Sequence, residues 1–407
     1  VEHDPKSAAR DDLAIAHYRV GELLRLQGDT PAALAETTEA IAIVSAMAAS
    51  DPKHALVQSH LASFLDNRAR IAGAQGNAKV ALESYRAALE VRERLVALDP
   101  TSTDYLEDLA GSHVSLGEHW RRHGNGATAI AEFRLAQGLF ERLVAQAPGN
   151  IKWAVLLATA HSDLGSTMID YSQLDTALVE LRLGIALAKK VHAIEPTNYR
   201  VSFLIANSYL NLGDALTYKD DSLGALTEYE AALAMAKPLG ANDPSNWRMK
   251  KMLAIIRTSL AAGYVQKPDL AQAELHARAA LALTQELVAK DAKDVQSTSM
   301  LAASRERLGD VLRSRGHVDE AIVEYRENVA IVDKLLASMT NPAMDYELQQ
   351  LSTRIHLGEG LEQKGDRAGA IAVYREGLVL VKAKIAKDPT NTGLKRALAQ
   401  LQAKPTR

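Results

Sequence analysis

Apolar residues return along this chain at helical spacing, in blocks of about 20 residues separated by short polar turns. One block carries Tyr105, Leu109, Leu116 and Trp120 on a common stripe; the next carries Ala129, Ile130, Phe133, Leu139 and Leu143. Spacing of this kind predicts two amphipathic helices, each roughly 30 Å long at ~1.5 Å per residue.

The pair of helices recurs. Leu-Gly followed by an acid appears at Leu116-Gly117-Glu118, Leu212-Gly213-Asp214, Leu308-Gly309-Asp310 and Leu357-Gly358-Glu359. Leu164-Gly165 lacks the acid, Val20-Gly21-Glu22 is a conservative copy, and Ala69 and Ala261 replace the glycine in two weaker copies. These anchors stand at 21, 69, 117, 165, 213, 261, 309 and 358, a step of 48 that becomes 49 at the end. Other positions keep the same register. Alanine stands twelve residues after every anchor: Ala33, Ala81, Ala129, Ala177, Ala225, Ala273, Ala321 and Ala370. Sixteen after it come Thr37, Tyr85, Phe133, Leu181, Tyr229, Ala277, Tyr325 and Tyr374.

The turns have their own signals. Seven residues after the anchor stand Gly28, Gly76, Gly124, Ser172, Asp220, Pro268, Gly316 and Gly365. Glycine there ends the first helix, because a left-handed residue is cheap only for Gly or Asn. Proline follows thirty-one after the anchor at Pro52, Pro100, Pro148, Pro196, Pro244 and Pro389; Ala292 breaks the rule and Pro342 is displaced by two. Proline is expected to stop the second helix. Ser, Thr or Asn after it, as in Thr101-Ser102-Thr103, is expected to cap the next one. The small residues at the anchor and at plus 12 let the two helices approach closely, with the plus-16 residue covering the space beside them. Leucine at Ala129 or Ala225 is expected to overpack that contact by about 1–3 kcal/mol.

Composition narrows the classes of function. Charge is nearly balanced, with 47 basic and 50 acidic residues and a net −3, and no long basic run offers a nucleic-acid surface. The apolar stretches, such as 40–49 and 377–381, are shorter than the roughly 20 residues that span a bilayer, so no membrane insertion is expected. Cysteine is absent. That excludes disulfides, thiol catalysis and cysteine-based zinc sites, and it leaves the compartment open on either side of a membrane. The chain starts at Val1 without Met or a signal peptide. A fragment or processed form is expected, the more so because His3-Asp4-Pro5 looks like the close of an earlier helix.

These residues resemble the tetratricopeptide repeat. Its unit of about 34 residues has Leu-Gly in the first helix, then glycine, alanine, an aromatic residue and a final proline. All occur here at the family's spacing except the proline, which comes about two helical turns late. One heptad added to each helix accounts for the longer unit. The resemblance is to the long-helix variety in bacterial multidomain proteins, some of which carry it after a Ser/Thr protein kinase domain. It implies an all-α fold: a right-handed superhelical solenoid of eight helix–turn–helix repeats in one array over 1–407. Repeat boundaries are expected at 6–52, 53–100, 101–148, 149–196, 197–244, 245–292, 293–341 and 342–389. Repeats 2 and 6 depart most from the pattern. A capping helix is expected over 390–404, with Leu394, Leu398 and Leu401 beside Lys395, Arg396, Gln400, Gln402 and Lys404.

Candidate chemistry is sparse. His119 and His123 are four apart, with His113 nearby, but no acidic third ligand matches, so no metal site is expected. His17, His113 and His161 all stand four before an anchor and read as packing residues, with sensitivity below about pH 6.5 as the alternative. Glu22/Arg25, Glu118/Arg121 and Asp310/Arg313 are acid–base pairs three apart on a helix. The resemblance places anchor plus 1 and plus 4 on a concave groove, giving Arg25, Arg121, Asn207, Asp214, Tyr218, Arg313 and Glu359 as candidate contacts. The basic-and-asparagine clamp that some relatives close on a C-terminal carboxylate has no counterpart here. No kinase, hydrolase, phosphate-loop or dinucleotide fingerprint occurs. No enzyme and no cofactor are expected. The leading reading is a scaffold or sensor array that holds a peptide or protein partner. Self-assembly into an oligomer or filament is the second reading, and a ligand-sensing regulatory domain beside a kinase is the third.

Overall fold

The computed structural model describes residues 5–339, 342 and 344–405. Among them every regular element is a helix, and the chain divides into two compact units, Val1–Pro196 and Thr197–Arg407. The first unit holds α1 (Pro5–Gln27), α2 (Thr30–Ser50), α3 (Ala55–Ala74), α4 (Ala78–Leu98), α5 (Thr103–Arg122), α6 (Gly126–Gln146), α7 (Ile151–Asp170) and α8 (Leu174–Ile194). The second holds α9 (Tyr199–Tyr218), α10 (Ser222–Asn242), α11 (Trp247–Gln266), α12 (Leu270–Lys290), α13 (Val295–Ser314), α14 (Val318–Ala337), α15 (Met344–Lys364), α16 (Arg367–Lys387) and α17 (Thr392–Gln402). Within each unit, consecutive helices pack on one another in the pairs the periodicity predicts. His3 and Asp4, expected to close an earlier helix, lie outside the described residues.

The first turn of each pair is built as the sequence implies, with one addition. Gly28, Gly76, Gly124, Gly316 and Gly365 take φ between +75° and +89°, and Ser172 and Asp220 take the same left-handed region at 59° and 62°. The next residue then acts on both helices. Its N–H reaches back five residues, as from Asn125 to Trp120 O and from Asp221 to Leu216 O, both 2.9 Å, closing the first helix. Its side chain opens the second helix: Asn125 Oδ1 accepts from Thr128 N at 3.2 Å, and Asp221 Oδ1 from Gly224 N at 2.9 Å. Sequence reading passed over this position, eight after the anchor.

The second turn corrects an expectation. Proline is not required to end the second helix. α12 stops at Lys290 although residue 292 is alanine. Asp291 ends it instead: its N–H donates to Leu287 O at 3.2 Å and its Oδ1 accepts from Lys293 N at 2.9 Å. Asp99 is arranged likewise, with Oδ1 accepting from Thr101 N at 3.0 Å and Thr101 Oγ1 at 2.7 Å. These bonds hold the Asp99 carboxyl below the usual carboxylate range.

The core follows the small-residue register. The plus-12 alanines are all buried, none more than 2% exposed. The plus-16 side chain lies directly on the anchor glycine. A Cβ at Gly117 would stand 2.8 Å from the Phe133 ring, and one at Gly213 or Gly309 2.5 Å from Tyr229 or Tyr325. In the sixth repeat both partners change together, Ala261 standing in a repeat whose plus-16 residue is Ala277, and both are fully buried. At the chain's end Leu394 and Leu401 of α17 are fully buried while Lys395 and Arg396 are not, as expected of a capping helix.

A second register-bound contact joins the two helices of a pair. Nδ1–H of His17, His113 and His161 donates to Glu36, Glu132 and Glu180, each at 2.7 Å. Arg305 donates to Glu324 at 2.6 Å from the corresponding position. The three histidines, buried at 113 and 161 and partly so at 17, thus pack between the helices of their pairs and also link them by hydrogen bonds. One helix departs from the sequence reading on membranes: α2 is long and apolar enough, by length and composition, to cross a bilayer. In this fold its Ala33, Thr37, Ala40, Ile41, Val44, Met47 and Ala48 are buried.

Candidate functional site

The first helix of each pair carries the varied polar positions. In the first unit, Arg25 donates to Glu22 at 3.1 Å and Arg121 to Glu118 at 3.0 Å, so both expected pairs form. The Arg25 hydrogen bond holds the Glu22 carboxyl below its ordinary range. Beside Arg121 stands Asp163, whose carboxyl is pushed up to about 7 by burial and by the Glu118 charge, with Arg121 opposing. Arg25 and Arg121 are each committed to a neighbouring acid and are not brought together.

His119 is buried against Tyr85, Trp120 and His123, the last ring 4.3 Å away. His123 Nδ1–H donates to His119 O at 2.7 Å, and burial lowers the His119 pKa. His113 turns instead to Glu132. No group of three potential metal ligands occurs among the described residues.

In the second unit three of the candidates, Asp214, Tyr218 and Glu359, line two clefts. Asp214 and Tyr218 line the larger, about 640 Å³, with Thr217, Tyr229, Ser259 and Arg307 among its other walls. Tyr229 Oη–H donates to Asp214 Oδ1 at 2.8 Å. Burial raises the Asp214 carboxyl above its ordinary value, and the Tyr229 hydrogen bond only partly offsets it. Tyr218 is 68% exposed. Asn207 is half-buried on α9, a turn and more before the anchor, and does not line this cleft.

Glu359 lines the smaller cleft, about 410 Å³, with Ser352, His356, Gln400 and Lys404. The expected Asp310/Arg313 pair gives way to other partners. Asp310 pairs with Arg307 at 3.3 Å and accepts the Tyr325 hydroxyl at 2.8 Å, while Arg313 crosses to Glu359 at 3.3 Å. Lys404 Nζ reaches the same Glu359 at 2.6 Å. His356 stands 3.1 Å from Glu306 and 3.5 Å from Asp310. Burial works against its charge, but the Glu306 hydrogen bond and the Asp310 charge outweigh burial and raise its pKa.

Sequence reading missed Asp163, Glu306, Arg307, His356 and Lys404. Arg307 pairs with Asp310 three residues on along α13; the others depend on which neighbouring helix they meet. One signal was available: Tyr229 and Tyr325 each follow an anchor acid by fifteen residues, Asp214 and Asp310. That is the spacing at which their hydroxyls bond.

Paired helices repeated through both units, with small residues at each crossing, define a helical-repeat protein. A family model described as tetratricopeptide repeat matches residues 61–100, covering much of α3 and all of α4. The chain therefore has a tetratricopeptide-repeat-like fold, and the family match itself is confined to residues 61–100. The match falls on the second repeat, one of the two that depart most from the register. No curated protein sequence matches the chain. Among solved structures, the apo form of RapI is 11% identical, covers 96% of each chain and has a TM-score of 0.56. Aspartyl phosphate phosphatase F of Bacillus subtilis is 10% identical, covering 93% of this chain and 94% of its own, with a TM-score of 0.55. A signal transduction ATPase with a tetratricopeptide repeat sensor from Pyrococcus horikoshii is 12% identical, with a TM-score of 0.54. Its match covers 95% of this chain and 55% of its own. At these identities the likeness is one of fold.

Proposed function

We propose that this chain is a non-catalytic scaffold that holds a peptide or protein partner against the polar positions of its first helices. The observation that carries the reading is a division of labour within the register. Positions that recur, the anchor, plus 12 and plus 16, are given over to packing. The polar positions Arg25, Arg121, Asn207, Asp214, Tyr218, Arg313 and Glu359 are half-buried or exposed, and their surroundings change along the array: plus 4 is Arg at 25, 121 and 313 but Gly73, Ile169, Thr217, Val265 or Glu362 elsewhere. A surface so arranged keeps one backbone while changing what it recognises along its length. The cleft over Asp214 favours a second reading, a sensor for a small ligand. The tetratricopeptide repeats of the Pyrococcus neighbour are themselves described as a sensor.

Crosslinking capture with the full chain tests the scaffold. A partner retained by the wild type should be lost when Arg313→Glu and Tyr218→Ala are combined, with the helical circular dichroism unchanged. Undiminished retention by that double variant counts against these helices as the contact face.

A further inference from the structure

Five anchors are followed at once by an acid: Glu22, Glu118, Asp214, Asp310 and Glu359. Four of the five have a cation of this chain as partner. Glu22 has Arg25, Glu118 has Arg121, Asp310 has Arg307, and Glu359 has both Arg313 and Lys404. Asp214 is the exception. The residue that would supply its arginine, as Arg25 and Arg121 do, is Thr217. Among the described residues no Lys, Arg or His pairs with it; its environment is burial and one hydroxyl. It sits in the wall of the larger cleft, where a partner group has room to enter. Tyr218 stands exposed on the same wall and offers an aromatic face. The cation on the wall from α13, Arg307, is already committed to Asp310 at 3.3 Å.

We propose that the cleft over Asp214 takes an organic cation, an ammonium or guanidinium head group, with Asp214 as counter-ion and Tyr218 as aromatic wall. The head group supplies from outside what Arg25 and Arg121 supply from within at the other anchors. Two sources carry this chemistry: a lysine or arginine side chain of a bound peptide, or a free amine. Burial without a cation makes the Asp214 charge costly, and an entering cation removes that cost. Selectivity follows, because a neutral side chain of equal length leaves the carboxyl uncompensated.

The inference rests on the interaction reading and is tested apart from it. The full chain is titrated with alanine-based octapeptides carrying one Arg, one Lys or one Gln, and with N-acetyl-arginine methylamide, followed by NMR chemical shifts. The Arg and Lys peptides are expected to bind at least tenfold more tightly than the Gln peptide, shifting Thr217, Tyr218 and Gln266. Asp214→Asn should erase the preference, Asp214→Glu should retain it, and Glu118→Gln should leave it unchanged. A peptide that binds at least tenfold more tightly than the methylamide marks a cation carried on a chain. Equal binding marks a free cation, and either supports the site. A Gln peptide that binds as well as the Arg peptide, or a preference that survives Asp214→Asn, overturns it. Absence of the Arg and Lys preference, with a partner whose capture is still lost with Arg313→Glu, overturns this inference and leaves the scaffold standing.

Discussion

The ring of Tyr325 lies against the backbone of Gly309, and its hydroxyl donates to Asp310 Oδ1 at 2.8 Å. One side chain thus fixes the helix crossing with its ring and orients a polar position with its tip. Tyr229 repeats the arrangement on Gly213 and Asp214. Gly309→Ala places a Cβ 2.5 Å from the Tyr325 ring and should destabilise the second unit by about 1–3 kcal/mol. In a double-mutant cycle with Tyr325→Ala, read by urea unfolding, the penalty of the alanine should largely vanish, as in the natural Ala261 and Ala277 repeat. An additive cycle would show that the ring is not what excludes the methyl.

Ser172 and Asp220 hold the left-handed conformation that five glycines hold elsewhere. That conformation costs an L-residue roughly 1–2 kcal/mol, and glycine's greater unfolded-state entropy offsets part of the gain from replacing it. Ser172→Gly and Asp220→Gly should each stabilise by about 0.5–1 kcal/mol in thermal unfolding. Gly124→Ala, at φ +75°, should do the opposite.

Ala292 stands where most second turns have proline, and its N–H donates in none of the backbone bonds of that turn. Ala292→Pro should stabilise by about 0.4–1 kcal/mol, by restricting the unfolded chain. Asp291→Ala should cost more than Ala292→Pro gains, because the acid ends α12. Calorimetric midpoints of the two variants decide the order.

Two buried groups give opposite pH dependence. The Asp163 carboxyl is pushed up to about 7 in the fold, so the folded state binds more protons than the unfolded between about pH 4 and 7. Stability of the first unit should fall as pH rises through that window, and Asp163→Asn should flatten the fall. His276 is lowered to about 4 by burial and by the Arg257 charge. Its neutral form is the folded one, so stability of the second unit should fall as pH drops from about 6.5 toward 4. His276→Gln should remove that loss. Melting temperatures at half-unit pH intervals test both slopes.

Tyr218 is 68% exposed and Tyr229 is 5% exposed, although both line the same cleft. Tyr218→Ala should leave stability within about 0.5 kcal/mol while weakening partner capture. Tyr229→Ala should cost about 3–5 kcal/mol, the range for an aromatic lost from a core. Equal effects on the melting temperature would refute the separation of packing from recognition.

The sequence by itself determined whatever depends on repetition. A helical period, a residue near plus 7 that must turn left-handed, and small residues at every crossing are local or register-bound requirements. They recur because the same packing problem recurs, and that is why Gly309, Ala321 and Tyr325 could be read together. Only the tertiary structure decided the partners of the polar positions. Arg313 chooses Glu359 over Asp310, and Lys404 comes from beyond α17 to join it. Those choices are made between neighbouring repeats, where side-chain reach and burial differ and no spacing along one helix records them. The acid at 214 looked like its counterparts at 118 and 310. Its lack of a cation became visible only when the space around it was filled in.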